Sequence, residues 1–173
     1  EGHGDLHLGN IVLIDGHPVL FDALEFSPAL RHIDVVADLA FLFMDLHRQD
    51  LSPWAWRLVN AWTEHTGDYA GLALLLFFAV YRAMVRAKVA RLRAAQHDAE
   101  AMAAFERDLA LAEQLAAPRT GPPRLLVTCG VSGSGKSTLA LNLVEALGAI
   151  RIRSDIERKR AAVASAVARE TLN

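Results

Sequence analysis

Residues 125–138, Leu-Leu-Val-Thr-Cys-Gly-Val-Ser-Gly-Ser-Gly-Lys-Ser-Thr, decide how the second half of this chain folds. The run opens with four residues, 125–128, that are typical of a short buried strand. It closes where helical periodicity begins, over residues 136–147. A second apolar run at 150–152 and a second helical pattern at 156–171 follow. The order strand, helix, strand, helix predicts a parallel sheet.

The glycine-rich stretch between the first predicted strand and helix has the spacing of a phosphate-binding loop. Its glycines let the backbone turn so that N–H groups point at phosphate oxygens, while Lys136 offers a point charge and Ser137 a hydroxyl for Mg²⁺. A plain helix N-terminus is the alternative. We predict binding of ATP and Mg²⁺ here, by Gly130, Ser132, Gly133, Ser134, Gly135, Lys136, Ser137 and Thr138.

Asp155 follows the second predicted strand. The carboxyl ends of strands are where ligands bind in open α/β sheets, so this acid is a candidate catalytic residue. Ser154 and Glu157 also fit a capping box, which explains the segment as a helix start. The two interpretations are compatible, and both stay open.

Three prolines and a glycine at residues 118–123 interrupt a long helical pattern. We therefore predict a first domain over residues 1–117, a linker over 118–123, and a second domain over 124–173. Residues 118–173 have nine basic and four acidic residues, which suits a polyphosphate ligand, a nucleic acid or a solvated helix equally.

The first domain begins with a hairpin pattern. Two short apolar runs, 11–14 and 19–21, flank Asp15-Gly16, which is a strong turn signal between strands. Helical periodicity then takes over. The predicted helices cover residues 34–46, 53–65, 69–96 and 99–116, the third possibly broken.

Polar residues surround this hairpin. Asn10 lies six residues before Gly16 and Asp22 six after, so an antiparallel hairpin brings both to its open end. Mg²⁺ takes one or two protein oxygens and fills its remaining positions with water and phosphates, which makes Asn10 and Asp22 candidate metal ligands. Asp5, just upstream, can accept the proton of an attacking hydroxyl and is the second candidate catalytic residue.

The segment His3-Gly4-Asp5-Leu6-His7-Leu8-Gly9-Asn10, with Phe21-Asp22, resembles the catalytic loop and metal-binding segment of the protein-kinase-like fold in aminoglycoside phosphotransferases. The resemblance covers about residues 1–115 and implies a C-terminal lobe alone. It implies that Asp5 is the catalytic base, that Asn10 and Asp22 bind Mg²⁺, and that His3 supports the loop.

The second domain resembles small P-loop kinases of the gluconate-kinase, polynucleotide-kinase and zeta-toxin kind, in which Asp155 would receive the acceptor hydroxyl and Arg158 could lie near phosphates. The order of the two domains resembles bacterial proteins described as bifunctional aminoglycoside phosphotransferase-like and ATP-binding, with an AAA-type or zeta-toxin-like second part.

The expected fold is α/β in two partial domains, and the expected activity is ATP-dependent phosphorylation of a small hydroxyl-bearing molecule. We expect this stretch to be part of a longer protein and inactive alone.

Two other functions stay open. Either domain could bind nucleotide only as a regulatory switch. His3, Asp5 and His7 could instead form a transition-metal site or begin a metallophosphatase motif, although that interpretation needs further ligands.

Other polar residues have structural interpretations. Asp34 and Asp38 open a helix and are expected to anchor it. The cations of residues 82–93 are typical of a solvated helix face, or else of a surface that binds an anionic substrate or the neighbouring domain.

Composition supports an ordinary globular chain, with 53% apolar and 22% charged residues. The lone Cys129 allows no intrachain disulfide, no targeting segment is evident, and we expect a cytoplasmic protein. The apolar stretch before Arg82 is too short to span a bilayer. We expect no nucleic-acid or membrane partner, and the sequence does not set the oligomeric state.

Overall fold

The computed structural model describes residues 2–26, 32–96, 98, 100–118 and 121–170, with the backbone alone for 165–170. A 3-10 turn at Leu8–Asn10 precedes a two-stranded antiparallel sheet and six α-helices. The elements are β1 (Ile11–Ile14), β2 (His17–Leu20), α1 (Val35–Arg48), α2 (Ser52–Thr66), α3 (Leu72–Ala94), α4 (Ala101–Ala116), α5 (Lys136–Leu147) and α6 (Ser154–Glu170).

The predicted hairpin is confirmed. Asp15 and Gly16 both adopt the left-handed conformation, with φ of 51° and 78°, which is the geometry that a two-residue hairpin turn requires. Ile14 pairs with His17, so the hairpin is centred between the two turn residues rather than on Gly16. The pairing extends one step further, because the Phe21 N–H donates to the Asn10 carbonyl over 3.1 Å.

Helix α1 is the centre of the core. Every residue from Val36 to Asp45 is buried, and Phe43 and Met44 have no exposed surface. Helices α2, α3 and α4 pack around it. This burial explains the continuous apolar run over residues 39–44. The two buried acids that flank the run, Asp38 and Asp45, have to be paired.

Helix α3 is continuous and packs closely on α4. Its contact face carries small side chains at helical spacing, which let the two backbones approach; they are Ala79, Ala83, Ala87 and Ala90, all buried. The helix begins three residues later than predicted. The reason is a local turn, because the Asp68 carboxylate accepts the Gly71 N–H over 2.8 Å and so competes with the helical pattern.

The other helix boundaries agree with the sequence within about two residues, and α5 has the predicted bounds. Four predicted positions, Ala99, Arg119, Thr120 and Thr171, lie outside the described residues.

The two strands predicted after the linker are wrong for the described part of the chain. Residues 125–128 and 150–152 carry no strand, and the side chains of Leu125 and Val127 are 87% and 79% exposed. A strand forms only when a neighbouring strand pairs with its backbone, and the described residues offer neither run a strand to pair with. The predicted parallel sheet is therefore absent from this description, which shows a mostly helical α/β fold with one small antiparallel sheet.

The segment after the linker packs against α2. Val144 of α5 is buried, and Ile150 packs against the helical core. Gly148 has a φ of 59° and lies so near Trp56 that an added Cβ would come within 2.7 Å of its ring. Helix α5 is therefore docked on α2. Within the described residues, no helix combines the length and the apolar character that crossing a membrane needs.

His47, in the last turn of α1, should make stability depend on pH. Burial beside Phe43 and Trp56 lowers its pKa from 6.5, and this effect outweighs the hydrogen bond with the Phe43 carbonyl, which raises it. The folded protein thus favours the neutral ring. The unfolded chain binds the proton first, so the contribution is complete above about pH 6.5 and is lost as the pH falls towards the lower folded pKa.

We predict that the free energy of unfolding falls more steeply below about pH 6.5 in the wild type than in His47→Gln. Urea unfolding curves across this range measure it. His17→Gln, in the exposed hairpin, should keep the wild-type slope. An unchanged slope in His47→Gln would contradict this assignment.

Candidate functional site

The loop before β1 is fixed by a buried carboxylate of α1. Asp38 accepts the backbone N–H of His3 over 2.6 Å and that of Gly4 over 2.9 Å. Gly2 packs so closely that an added Cβ would lie 2.3 Å from the Asp38 carboxylate. The anchoring role expected of Asp38 is confirmed, and its object is the loop as well as the helix. Asp34 caps α1 by accepting the Val36 N–H.

A second acid lies two turns along the same helix. Asp45 accepts the Leu8 N–H over 3.0 Å, and Arg86 of α3 lies 3.5 Å from its other oxygen. Asp38 and Asp45 are spaced by seven residues and so share one helix face. This face therefore holds the loop at His3 and Gly4 through Asp38, and at Leu8 through Asp45.

Two cations of α3 support the same loop. Arg82 donates to the Gly4 carbonyl over 3.0 Å and stacks on the Phe41 ring at 4.6 Å. Arg86 lies over the same ring, 5.4 Å from its centroid. The prediction of a solvated face is therefore wrong for these two residues. Their guanidinium groups contact the loop, the Phe41 ring and Asp45 instead of facing water alone.

Asp5 is oriented by its neighbours in the loop. The side-chain amide of the buried Asn10 donates to the Asp5 carbonyl over 3.0 Å and to its carboxylate over 3.3 Å. His7 Nε2 lies 3.6 Å from the same carboxylate. The carboxylate remains partly exposed, as contact with a substrate requires. The described residues give the Asn10 side-chain oxygen no donor, which leaves it available as a ligand.

Asp22 follows the hairpin in a left-handed conformation, with a φ of 60°. An aspartate tolerates this region but does not favour it, so its neighbours must hold it there. The flanking contacts come from His3, whose ring nitrogen Nε2 lies 2.9 Å from the Phe21 carbonyl and whose own carbonyl accepts the Leu24 N–H. The chain around Asp22 is thus attached to the loop that carries Asp5.

The three-residue metal cluster considered for His3, Asp5 and His7 does not form. His3 faces the Phe21 carbonyl, and His7 accepts the Gly9 N–H at the start of the 3-10 turn. No group of three or more His, Cys, Asp or Glu side chains suited to a metal occurs among the described residues. An oxygen pair with water and phosphates as further ligands, which Mg²⁺ accepts, remains compatible with Asn10 and Asp22.

The glycine-rich loop has the backbone that its sequence predicts. Gly130, Gly133 and Gly135 have φ of 146°, 78° and 83°, values at which other residues are strained. Lys136 opens α5 and turns back over the loop, where its amine bonds the carbonyls of Gly130 and Val131. The N–H groups of the first turn of α5 are met by no side-chain cap. A helix N-terminus with free N–H groups and a nearby ammonium favours an anion.

Asp155 lies in the first turn of α6, in an ion pair with Arg153. Arg153 donates to both carboxylate oxygens, at 2.9 and 3.3 Å. The Arg153 hydrogen bond lowers the pKa of the Asp155 carboxyl. The proposed capping box is wrong, because α6 already begins at Ser154 and the Glu157 carboxylate instead binds Tyr69 and Arg160. Arg158 donates to the Ser154 carbonyl.

Comparison with known proteins agrees with the geometry of the glycine-rich loop. A family described as AAA domain matches residues 125–172. The glycine-rich loop and Lys136 lie inside the match, so the match and the spacing of the loop both point to a segment of the P-loop type.

Relatives of the whole chain occur in mycobacteria. Proteins from Mycobacterium bovis and from two strains of Mycobacterium tuberculosis are 41% identical over 163 residues, which is 92% of this chain. Each is named only as an uncharacterized protein. The chain spans about a third, 32%, of their length. No solved structure matches the chain.

Several residues of these sites were missed at the sequence level. They form ion pairs or hydrogen bonds between distant segments, which local patterns do not reveal; they are Asp45, Asn60, Glu64, Arg82, Arg86 and Arg153. One signal was available. An acid in the middle of a continuous apolar helix, such as Asp45, has to be paired.

We predict that Asp38→Ala lowers the free energy of unfolding by roughly 3 kcal/mol, because two loop N–H groups lose a charged acceptor. Asp38→Asn keeps one acceptor oxygen and should lose about half as much. Urea unfolding measures both, with Glu106→Ala on the exposed side of α4 as the control. A loss below about 1 kcal/mol for Asp38→Ala would show that the loop does not depend on this carboxylate.

Proposed function

We propose that the full protein is an ATP-dependent phosphotransferase acting on hydroxyl-bearing small molecules, with the AAA domain binding nucleotide. The observation that carries the proposal is the loop itself. Its left-handed glycines, the free N–H groups opening α5 and the Lys136 ammonium lie together, inside the matched segment.

In the P-loop segment, we assign phosphate binding to the backbone N–H groups of residues 130–136 and to Lys136. The Lys136 amine now bonds two loop carbonyls, and these weak neutral acceptors can be exchanged for phosphate oxygens, which are stronger partners. Ser137 and Thr138 follow Lys136 in the first turn of α5. The Ser137 hydroxyl would hold Mg²⁺, which supplies positive charge to the phosphates when bound. Asp155 would accept the proton of the acceptor hydroxyl.

In the helical segment, we propose a second phosphotransfer site of the aminoglycoside phosphotransferase type. Asp5 would accept the proton from the substrate hydroxyl, while the side-chain oxygens of Asn10 and Asp22 would hold Mg²⁺. Three observations support this assignment: Asp5 is oriented yet partly exposed, the Asn10 oxygen has no donor within the described residues, and Asp22 is held in a constrained conformation. Asp5 and Asp22 could have these roles with any small acceptor that carries a hydroxyl group.

A nucleotide-binding switch is the second candidate, and one observation favours it. The Asp155 carboxylate is engaged by both donors of Arg153, which weakens it as a base. A switch would bind ATP at the P-loop without transferring phosphate. Binding and turnover therefore have to be measured separately.

Lys136→Ala should lower ATP turnover at the P-loop on the order of 100-fold, since it removes charge that opposes the phosphates as the bond to the γ-phosphate breaks. Phosphate release by the full protein with MgATP measures turnover, and fluorescent nucleotide titration measures binding. Lys88→Ala, on the exposed face of α3, should change neither. If Lys136→Ala binds as many nucleotides per chain as the wild type, the loop assignment is wrong. Wild-type binding without any turnover would favour the switch.

Asp5→Asn should lower acceptor phosphorylation by the helical segment by about 100-fold or more, because the amide cannot accept the hydroxyl proton. Mass-spectrometric detection of phosphorylated products from a hydroxyl-bearing metabolite mixture measures it. Asp15→Asn, which keeps a side chain suited to the hairpin turn, is the control. If the products persist in Asp5→Asn and vanish in Lys136→Ala, the P-loop segment alone is the working kinase.

A further inference from the structure

Helix α2 presents two polar side chains, one turn apart, to the segment that follows α5. Asn60 is 3% exposed, and its amide donates to the Ala149 carbonyl over 3.0 Å and accepts the Arg151 N–H over 2.6 Å. These two backbone groups point to the same side of an extended chain. The side chain thus takes the hydrogen bonds that a neighbouring strand would take, and it fixes residues 149–151 on α2.

Glu64 continues this contact toward the candidate catalytic acid. Its carboxylate accepts Arg151 at 2.5 Å and Arg153 at 2.9 Å. Burial raises the pKa of the Glu64 carboxyl, but the hydrogen bonds and charges of the two arginines outweigh burial and lower it. The other guanidinium nitrogens of Arg153 bind the Asp155 carboxylate. Glu64, Arg153 and Asp155 therefore form one continuous chain of ion pairs.

We propose that Glu64 is a positioning residue for Asp155, acting through Arg153 from the helical segment. This inference rests on the proposed role of Asp155 in the P-loop segment. It adds that the two segments share a functional unit, because a side chain of α2 orders the acceptor side of the P-loop site.

The geometry explains why the outer carboxylate is needed. The Arg153 side chain is 42% exposed. An exposed ion pair contributes little free energy, because a flexible arginine loses conformational entropy when it forms the pair. A guanidinium held at both ends is pre-organised. Glu64, only 21% exposed and fixed by Arg151 as well, supplies the second end.

The step that depends on this orientation is proton acceptance. The acceptor oxygen forms a bond to the γ-phosphorus, the bond to the bridging oxygen breaks, and ADP leaves with its electron pair. The proton of the acceptor hydroxyl passes to Asp155. Arg153 holds this carboxylate in one orientation, and small displacements of such a base lower the rate without changing how the phosphates are bound.

The test compares Glu64→Gln, Arg153→Lys and their double variant in the full protein, by phosphate release from MgATP with water as the acceptor. Glu64→Gln keeps the volume, and Arg153→Lys keeps the charge but not the two-ended fork. We expect each to lower kcat by about 3- to 10-fold with an unchanged KM for ATP, and the double variant to be no worse than either. Glu113→Gln, exposed on α4, should match the wild type.

Asp155→Asn separates failure of this inference from failure of the proposed function. If Asp155→Asn lowers kcat while Glu64→Gln does not, the inference is wrong and the function stands. If Asp155→Asn changes nothing, the function of Asp155 is wrong, and the inference falls with it. Additive effects, or a raised KM in Glu64→Gln, would show that Glu64 only docks the segments. Should Glu64→Gln fail to fold, the exposed Arg153→Lys carries the same test.

Discussion

The buried carboxylate of Asp38 is the constraint on which the first site depends. A carboxylate taken out of water must be matched by donors, and here the donors are two backbone N–H groups of the loop that carries Asp5. Helix α1 is buried on all sides, so Asp38 cannot move without disturbing the core. The loop position is therefore set by core packing, with Asp45 repeating the arrangement two turns later.

The second site depends on a different helix. Asn60 and Glu64 of α2 hold the chain on either side of Arg151, and α5 packs against the same helix through Val144 and Gly148. The segment with the glycine-rich loop is thus attached to the helical segment by buried hydrogen bonds and half-buried ion pairs.

The sequence predicted what short-range chemistry controls. Asp15-Gly16 fixed the hairpin turn, helical periodicity gave α5 its bounds, and the glycine spacing identified the loop that the AAA domain match also contains. Residues 125–128 and 150–152 were predicted as strands because their composition fits one. Composition cannot show which neighbour takes the backbone hydrogen bonds, and at 149–151 that neighbour is Asn60, about ninety positions away. The ion pairs of Glu64 were unpredictable for the same reason.

We propose two separate nucleotide-using sites in the full protein, one at Asp5, Asn10 and Asp22 and one at the glycine-rich loop. Equilibrium dialysis of the full protein against ATP with excess Mg²⁺ counts these sites. We expect two bound nucleotides per chain, one of which is lost in Lys136→Ala. A single bound nucleotide that Lys136→Ala abolishes completely would contradict it, because the helical segment would then hold no nucleotide of its own.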